Sequence, residues 1–350
     1  MTTIEQIKEL VKKLSADERS ELLQDLSWNI TEDTLAPLEV KYCPHCKSLD
    51  FIKHGYSKHG KRFKCKSCHR TFCPTTGTAI HNIKKKDKFI EYSRITKEEG
   101  LQTIAHMKKR IGICNQASFD WRHRLLLSTP KKKEKFEQEV QMDDLWFLYS
   151  QKGRKGLDYA RERGGSKRKG DNDFQVKVLA ASDKKQLELK VAKIGRISEK
   201  DIIQAVGEKF NSSSKLVTDK HKSFGAFAKG VELDHVSFLS KNHKAGTGEN
   251  VQYVNNVAER LKTWINRQLR GVSTKYLQLY VSYFSYTENE NFDINKNLDD
   301  HFVWDKFTNI EGFYKRFIQN KSVRTYRCPT KREWKAQNWN GTIMQEFSFI

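Results

Sequence analysis

Apolar residues recur at helical spacing in the first 27 positions of the chain. The stretch T-I-E-Q-I-K-E-L-V-K-K-L places one every three or four residues, and the pattern resumes in E-L-L-Q-D-L. Between the two runs, S-A-D-E (Ser15 to Glu18) fits the capping box that starts a helix. Residues 1–39 are therefore predicted to form a helical hairpin, which would be either a docking or dimerisation module or a cap on the next domain.

A second helical pattern covers residues 82–130. In L-Q-T-I-A-H-M-K-K-R-I-G-I-C-N-Q-A-S-F-D-W-R-H-R-L-L, two helical runs are separated by a turn at Gly112, and Pro130 ends the second run. Two short helices joined at a glycine turn are typical of a helix-turn-helix. We expect its exposed polar residues to contact DNA bases or phosphates, namely Asn115, Gln116, Ser118, Arg122 and Arg124.

Residues 136–290 change to an α/β pattern. Strand-like runs are E-V-Q-M-D-D-L-W-F-L-Y-S, F-Q-V-K-V-L-A-A-S-D, L-E-L-K-V-A-K-I-G, K-L-V-T-D and D-H-V-S-F-L-S. A helix capped by Ser198 follows the third strand, and two long helical runs start near Tyr253 and Thr274. This order is typical of a ribonuclease-H-like domain, so the fold class is multidomain α+β. Residues 291–350 lack clear periodicity and are left as a C-terminal extension of unknown role.

Residues 40–81 contain two Cys-x-x-Cys pairs, C-P-H-C and C-K-S-C. Zn²⁺ prefers four tetrahedral ligands, and each pair presents two sulfurs to one ion. Because two pairs fill all four positions, the predicted site is a structural zinc ribbon and not a catalytic centre. Its ligands are Cys43, Cys46, Cys65 and Cys68.

Positive charge is concentrated beside these cysteines. The net formal charge is +22 for the whole chain, +17 for residues 41–135 and −5 for residues 1–40. Such a distribution is typical of a protein that binds a polyanion, most often nucleic acid. The further phosphate-contact candidates lie in the ribbon, in a basic loop after the first α/β strand and on a late helix: Lys61, Arg62, Lys64, Arg161, Arg163, Lys167, Arg168, Lys169 and Lys262.

The sequence argues against a membrane or secreted protein. No stretch approaches the roughly 18 apolar residues of a membrane span, and the acidic N-terminus lacks the apolar core of a signal peptide. Seven cysteines then indicate metal ligands rather than disulfides. We expect a cytoplasmic protein.

Acidic residues at strand ends suggest a second metal site in the α/β segment. Asp143 and Asp144 follow V-Q-M, Asp219 ends L-V-T-D, and Glu259 lies on a helical run. Carboxylates that converge in this way bind Mg²⁺ ions, which activate a nucleophile in phosphodiester chemistry. The spacing alone is weak evidence, because acids at strand ends are common.

The motifs, taken in order, resemble a known family. C-P-H-C, R-F-K-C-K-S-C-H-R-T-F, T-T-G-T, S-F-D-W-R-H-R-L-L, V-Q-M-D-D-L-W-F, L-V-T-D-K-H-K-S-F and G-V-S-T-K-Y-L-Q-L-Y-V-S-Y-F are similar to bacterial insertion-sequence transposases of the zinc-ribbon DDE type, the group called IS-fifteen-ninety-five-like. The resemblance covers residues 40 to 290. It implies a ribonuclease-H-like domain that cuts and joins DNA with Mg²⁺ or Mn²⁺, acting on terminal inverted repeats and target DNA, in a cytoplasmic protein associated with the bacterial nucleoid. Because two transposon ends must be held together, we also expect a homo-oligomer in the DNA-bound complex.

The resemblance also assigns residues. Asp143 takes the first catalytic position and Asp219 the second, and together they would hold the metal ions. The third position is Glu or Asn in the family. N-N-V-A-E-R-L-K matches an Asn-x-x-Glu pattern at Asn256 and Glu259, whereas a second family pattern places the Asn at Asn255. Glu259 is preferred, because a carboxylate binds Mg²⁺ better than an amide.

Two other functions fit the same residues. A DNA-binding protein derived from a transposase, with its catalysis lost, would keep the same N-terminal half. A metal-dependent nuclease that does not join strands would keep the carboxylates. Detection of joined product separates the transposase from both.

Overall fold

The computed structural model describes residues 3–15, 18, 40–57, 60–76, 80–127, 129, 134–150, 152–153, 170–172, 175–239, 245–246 and 248–296. These residues fall into two compact units. The first contains residues up to 127 except 101–103, and the second contains 101–103 and the residues from 129 onward. In the described part of the chain, no helix is long and apolar enough to cross a membrane.

Helix α1 (Thr3–Lys13) confirms the first half of the N-terminal helical pattern. The predicted capping box also forms, because the Ser15 N–H donates to a Glu18 carboxylate oxygen at 2.8 Å and the Glu18 N–H donates to the Ser15 hydroxyl at 3.3 Å. The rest of the predicted second helix lies outside the described residues. Leu10 is 62% exposed on α1.

The cysteine segment folds as a three-stranded antiparallel sheet. Its strands are β1 (Phe51–Ser57), β2 (Gly60–Cys65) and β3 (Thr71–Phe72), in the order β1-β2-β3. Phe51, Phe63 and Phe72 pack with ring centroids 5.6 Å apart in each pair and form the apolar core next to the cysteines. So few buried side chains cannot stabilise a domain of this size without a metal or another crosslink.

Three helices complete the first unit: α2 (Lys86–Glu98), α3 (Ile104–Ile111) and α4 (Asn115–Leu127). Gly112 has a φ of +66° and links α3 to α4, as the glycine turn predicted. Phe89 and Tyr92 of α2 pack edge-to-face against Trp121 of α4, and the Tyr92 hydroxyl donates to the Ser118 carbonyl at 3.1 Å. Helix α2 therefore packs against α4 of the helix pair.

The second unit is built on one mixed sheet. Its strands are β4 (Glu139–Leu148), β5 (Gln175–Ser182), β6 (Leu187–Ile194), β7 (Lys215–Asp219) and β8 (Asp234–Phe238), in the order β6-β5-β4-β7-β8. Strand β5 runs antiparallel to both of its neighbours, β4 and β6, whereas β7 runs parallel to β4 and β8 runs parallel to β7. These five strands match the five strand-like runs predicted from the sequence.

Helices cover both faces of this sheet. On one face, α5 (Glu199–Val206) and α6 (Lys222–Gly230) contribute to the cluster around Phe136, Met142 and Leu216. On the other face, α7 (Gln252–Thr263) and α8 (Leu277–Lys296) pack on Leu145, Phe147 and Val178, with a π-helical turn at Trp264–Gln268 after α7. The predicted N-cap of α5 is confirmed at Ser198.

Candidate functional site

The four cysteines of the ribbon come together as one cluster. Their sulfur atoms all lie within 4.8 Å of one another, with 3.7 Å between Cys43 and Cys68 and 3.5 Å between Cys46 and Cys65. Tetrahedral Zn²⁺ with bonds of about 2.3 Å to sulfur separates its ligands by about 3.8 Å. The donor set and its spacing therefore fit zinc, and the four residues predicted from the two motifs are the ones assembled.

Both Cys-x-x-Cys turns have the same backbone geometry. The Cys43 N–H donates to the Ser48 carbonyl at 2.8 Å, and the Cys65 N–H donates to the Arg70 carbonyl at 3.0 Å. The residue after each pair has a positive φ, which is 66° at Lys47 and 56° at His69. Hydrogen bonding from the Cys68 N–H lowers the pKa of Cys65 to about 6. Four thiolates this close repel one another unless a cation lies between them.

The cations predicted to contact phosphate lie on β2 of the ribbon. Lys61 is exposed, whereas Arg62 and Lys64 are half-buried, and Arg62 donates to the Thr71 hydroxyl at 3.4 Å. Lys64 stands opposite Ile52 on β1, and Ile52 is 48% exposed. The outer side of the hairpin is thus partly basic and partly apolar.

The expectation that five polar residues of α4 are exposed is wrong for two of them. Ser118 is fully buried under α2 and α3, and Arg122 is 4% exposed. Arg124 is half-buried and donates to the His81 carbonyl at 2.6 Å, which makes it a link within the unit. Asn115 and Gln116 are exposed at the start of α4 and remain available for contacts with a partner.

The first two predicted aspartates lie on adjacent parallel strands. Gln141 of β4 is in register with Val217 of β7, and both strands continue two residues further to Asp143 and Asp219. Because side chains alternate along a strand, the two carboxylates share the face that α7 covers. The structure thus brings together two acids that are 76 positions apart in the chain.

The surroundings of Asp143 disfavour its negative charge. Burial is the largest cause and the charge of Asp219 the second, and together they raise the pKa of Asp143 to about 7. Its Oδ1 accepts a hydrogen bond from the Asp144 N–H at 2.7 Å, which holds the carboxylate in place. A pair of partly buried carboxylates fits a divalent cation with oxygen ligands, because the cation removes the repulsion between them.

Asp144 points to the opposite face of the sheet and has a different partner. Its Oδ2 lies 2.6 Å from Nζ of Lys177, which also lies 2.7 Å from Oδ1 of Asp171. The Lys177 side chain is 8% exposed, so this is a nearly buried ion triad. The sequence analysis missed Lys177 and Asp171. A lysine inside the apolar run Q-V-K-V-L-A-A is the signal that could have identified the first of them.

Helix α7 presents the predicted third residue to solvent. Glu259 is exposed and its carboxylate lies 2.9 Å from Nζ of Lys262, one turn along the helix. Asn256 is also exposed and accepts a hydrogen bond from the Gln252 amide at 3.0 Å. Among the residues that the structure describes, the four cysteines are the one group of three or more His, Cys, Asp or Glu ligand atoms within 4.8 Å. Glu259 is therefore not assembled with the two aspartates.

One group of predicted phosphate contacts lies outside the described residues. These are the residues of the basic loop, Arg161, Arg163, Lys167, Arg168 and Lys169.

Comparison with known proteins finds similarity within the second unit. Residues 135–289 match the family model described as ISXO2-like transposase domain. The protein described as "Uncharacterized protein in transposable element ISH50", from Halobacterium salinarum, is 24% identical over 258 residues, which cover 69% of this chain and 83% of that protein. The resemblance to insertion-sequence transposases that the motifs predicted is thus confirmed.

Two solved structures are also similar in part. The pre-cleavage Mos1 transpososome is 10% identical, covers 68% of this chain and 80% of its own, and has a TM-score of 0.25. The Mos1 strand transfer complex is 11% identical, covers 61% of this chain and 79% of its own, and has a TM-score of 0.20.

Proposed function

We propose that the protein is a DNA transposase of the DDE type, which binds the ends of an insertion sequence and catalyses metal-dependent cleavage and strand transfer. The observation that carries the proposal is the placement of Asp143 and Asp219 on adjacent parallel strands of a transposase-family domain. In this interpretation the α/β unit is ribonuclease-H-like, and residues 40–81, 82–130 and 136–290 are the ribbon, the helix-turn-helix and the catalytic domain.

The two aspartates would hold Mg²⁺ or Mn²⁺ between them. Bound there, divalent ions supply activation of the attacking oxygen and stabilisation of the leaving 3′ oxygen in an in-line displacement. Asp143 accepts the Asp144 N–H, which orients one carboxylate oxygen and leaves the other for coordination. Lys177 neutralises Asp144 on the opposite face, so that this carboxylate does not compete for the metal.

The packing of α7 indicates which of its residues can reach the aspartates. Val254, Val257 and Leu261 face the core, and Arg260 and Trp264 face α8 through Glu288 and the ring of Tyr283. With about 3.6 residues per turn, the flank opposite α8 carries Asn255 and Lys262, with Glu259 beside them. Asn256 and Glu259 are three residues apart, and both fall on the exposed, outward side of the helix. We keep Glu259 as the proposed third ligand because a carboxylate binds Mg²⁺ better than an amide, and we treat Asn255 as its alternative.

DNA recognition is assigned to the first unit. The positive charge of residues 41–135, the exposed Lys61 and the exposed start of α4 at Asn115 and Gln116 support this assignment. Arg62 and Lys64 remain proposed phosphate contacts beside Lys61. Two transposon ends must be held together for transposition, so we propose that the DNA-bound protein is a homo-oligomer.

Strand transfer in vitro tests the function. Purified zinc-loaded protein is mixed with Mg²⁺, a labelled duplex that carries the element's terminal repeat, and a supercoiled target. We expect joined product with the wild type and a loss of at least about 10³-fold with Asp219→Asn, because one ligand of the metal pair is removed. End binding without cutting, in Mg²⁺ and in Mn²⁺, would instead support the catalytically inactive alternative, which the solvent-facing Glu259 also favours.

Variants of α7 identify the third ligand. We expect Glu259→Gln to lower the joining rate by at least about 100-fold, because an amide binds Mg²⁺ more weakly than a carboxylate. Asn256→Ala, one turn before Glu259 on the same exposed face, is the comparison variant, and it should change the rate less than threefold because the proposed ligand is the carboxylate and not this amide. Loss of joining in Asn255→Ala with normal joining in Glu259→Gln would show that the ligand is the amide of Asn255.

A further inference from the structure

A second cysteine environment lies just after the zinc cluster and takes no part in it. Cys73 is 7% exposed, and its sulfur lies 3.6 Å from Nδ1 of His81 and 3.3 Å from the hydroxyls of Thr75 and Thr76. The Cys73 N–H also donates to the Thr76 hydroxyl at 2.9 Å. Cys73 is not one of the four clustered cysteines, which supply the four ligands of a tetrahedral zinc site without it.

Each of these neighbours can donate to the sulfur when Nδ1 is protonated and the hydroxyls turn toward it, and the Thr75 hydroxyl also lies 3.3 Å from Nδ1 of His81. Hydroxyls and an imidazole N–H favour the thiolate over the thiol, and the charge of a protonated imidazole adds to this. Burial alone would raise the pKa of the Cys73 thiol, but the contacts with His81, Thr75 and Thr76 outweigh it and lower the pKa to about 6. Among the residues that the structure describes, His81 is the titratable group that shifts the pKa of this thiol.

We propose that Cys73 and His81 form a thiolate–imidazole pair that reacts with small hydroperoxides, as a modification site separate from the zinc cluster. The thiolate sulfur attacks one peroxide oxygen, so that an S–O bond forms while the O–O bond breaks. The sulfur is oxidised by two electrons to sulfenic acid and the peroxide is reduced. The leaving hydroxide or alkoxide takes a proton from solvent water.

The position of the pair gives the reaction a structural consequence. Cys73 directly follows β3 of the ribbon, and the backbone carbonyl of His81 accepts the hydrogen bond from Arg124 of α4 at 2.6 Å. Ile80 and Ile83, on either side of His81, are 0% and 5% exposed. The Cys73–His81 contact therefore links the end of β3 to a residue that is hydrogen-bonded to α4, within the first unit. Oxidation of Cys73 would change this contact.

The test follows the oxidation of Cys73 by hydrogen peroxide in the zinc-loaded full chain between pH 5.5 and 9. Sulfenic acid is trapped with dimedone and assigned by peptide mass spectrometry, while zinc release is recorded with a chromogenic chelator. The exposed Cys114 of the same molecule is the reference thiol. His81→Gln and Thr76→Val each remove one donor to the sulfur, and zinc content and circular dichroism verify their folding.

We expect the wild-type rate at Cys73 to be nearly flat above pH 7, because the thiolate already predominates. In His81→Gln the rate of Cys73 oxidation should rise about tenfold per pH unit from pH 6.5 to 8.5. At pH 6.5 it should be about tenfold below the wild-type rate. At higher pH it should exceed the wild-type rate, since a more basic thiolate is the better nucleophile. If His81→Gln does not fold, the proposal is tested by the pH profile of Cys73 oxidation in Thr76→Val and in the wild type. A wild-type profile at Cys73 as steep as that of Cys114, or labelling only after zinc is lost, would overturn the proposal.

Discussion

Removal of zinc is expected to unfold the ribbon and leave the α/β unit folded. The ribbon has three short strands around Phe51, Phe63 and Phe72, whereas the α/β sheet has its own buried clusters on both faces. For small domains of this kind, the free energy of metal binding is the free energy of folding. Hydrogen exchange measured by mass spectrometry after chelation should show loss of protection in residues 43–72 and unchanged protection in β4 and β5.

Single cysteine variants refine this expectation. Cys65→Ser should weaken zinc binding by more than about 100-fold. Loss of a residue that only hydrogen-bonds to a metal ligand costs up to about 100-fold, and loss of a ligand itself should cost more. It should also abolish binding to the terminal repeat, because Lys61 and its neighbours lie on the strand that Cys65 ends. Cys114→Ser, outside the cluster, is the control and should change neither property. Protected amides in residues 43–72 of the fully metal-free protein would contradict the structural role of zinc.

Two neighbouring aspartates should respond to the same substitution in opposite ways. Asp143→Asn is expected to lower cleavage and joining by at least about 10³-fold, because a proposed metal ligand is lost. Without metal, this variant should melt at the same temperature as the wild type or higher, since the repulsion between Asp143 and Asp219 is removed. Thermal melts in EDTA and strand-transfer assays in Mg²⁺ measure the two effects separately.

Asp144→Asn is the matched control on the next residue of the strand. It removes one of two carboxylates from the nearly buried Lys177, so we expect a loss of about 1–3 kcal/mol in the free energy of unfolding. Joining activity should stay within tenfold of the wild type at a temperature where the variant is folded. If Asp144→Asn abolished joining while Asp143→Asn did not, the assignment of the two positions would have to be exchanged.

Features encoded by neighbouring residues could be predicted from the sequence. The cluster of four cysteines was predicted, because a Cys-x-x-Cys turn holds both of its sulfurs by local geometry, and so was the capping box at Ser15 and Glu18. The five strands of the α/β unit were also predicted, since a run of apolar and β-branched residues is a property of the strand itself. The resemblance to transposases rested on the same local motifs in their order.

Features that depend on packing between distant segments could not be predicted. Both sides of α4 carry apolar residues, so the periodicity did not show that α2 and α3 bury Ser118 and that Arg122 is also buried. The adjacency of Asp143 and Asp219 depends on the register of β4 with β7, and the ion triad of Lys177 depends on β5 lying beside β4. The outward direction of Glu259 follows from the face of α7 that packs on the sheet. A helix or strand pattern specifies which residues share a face, and only the partner surface selects the face that becomes buried.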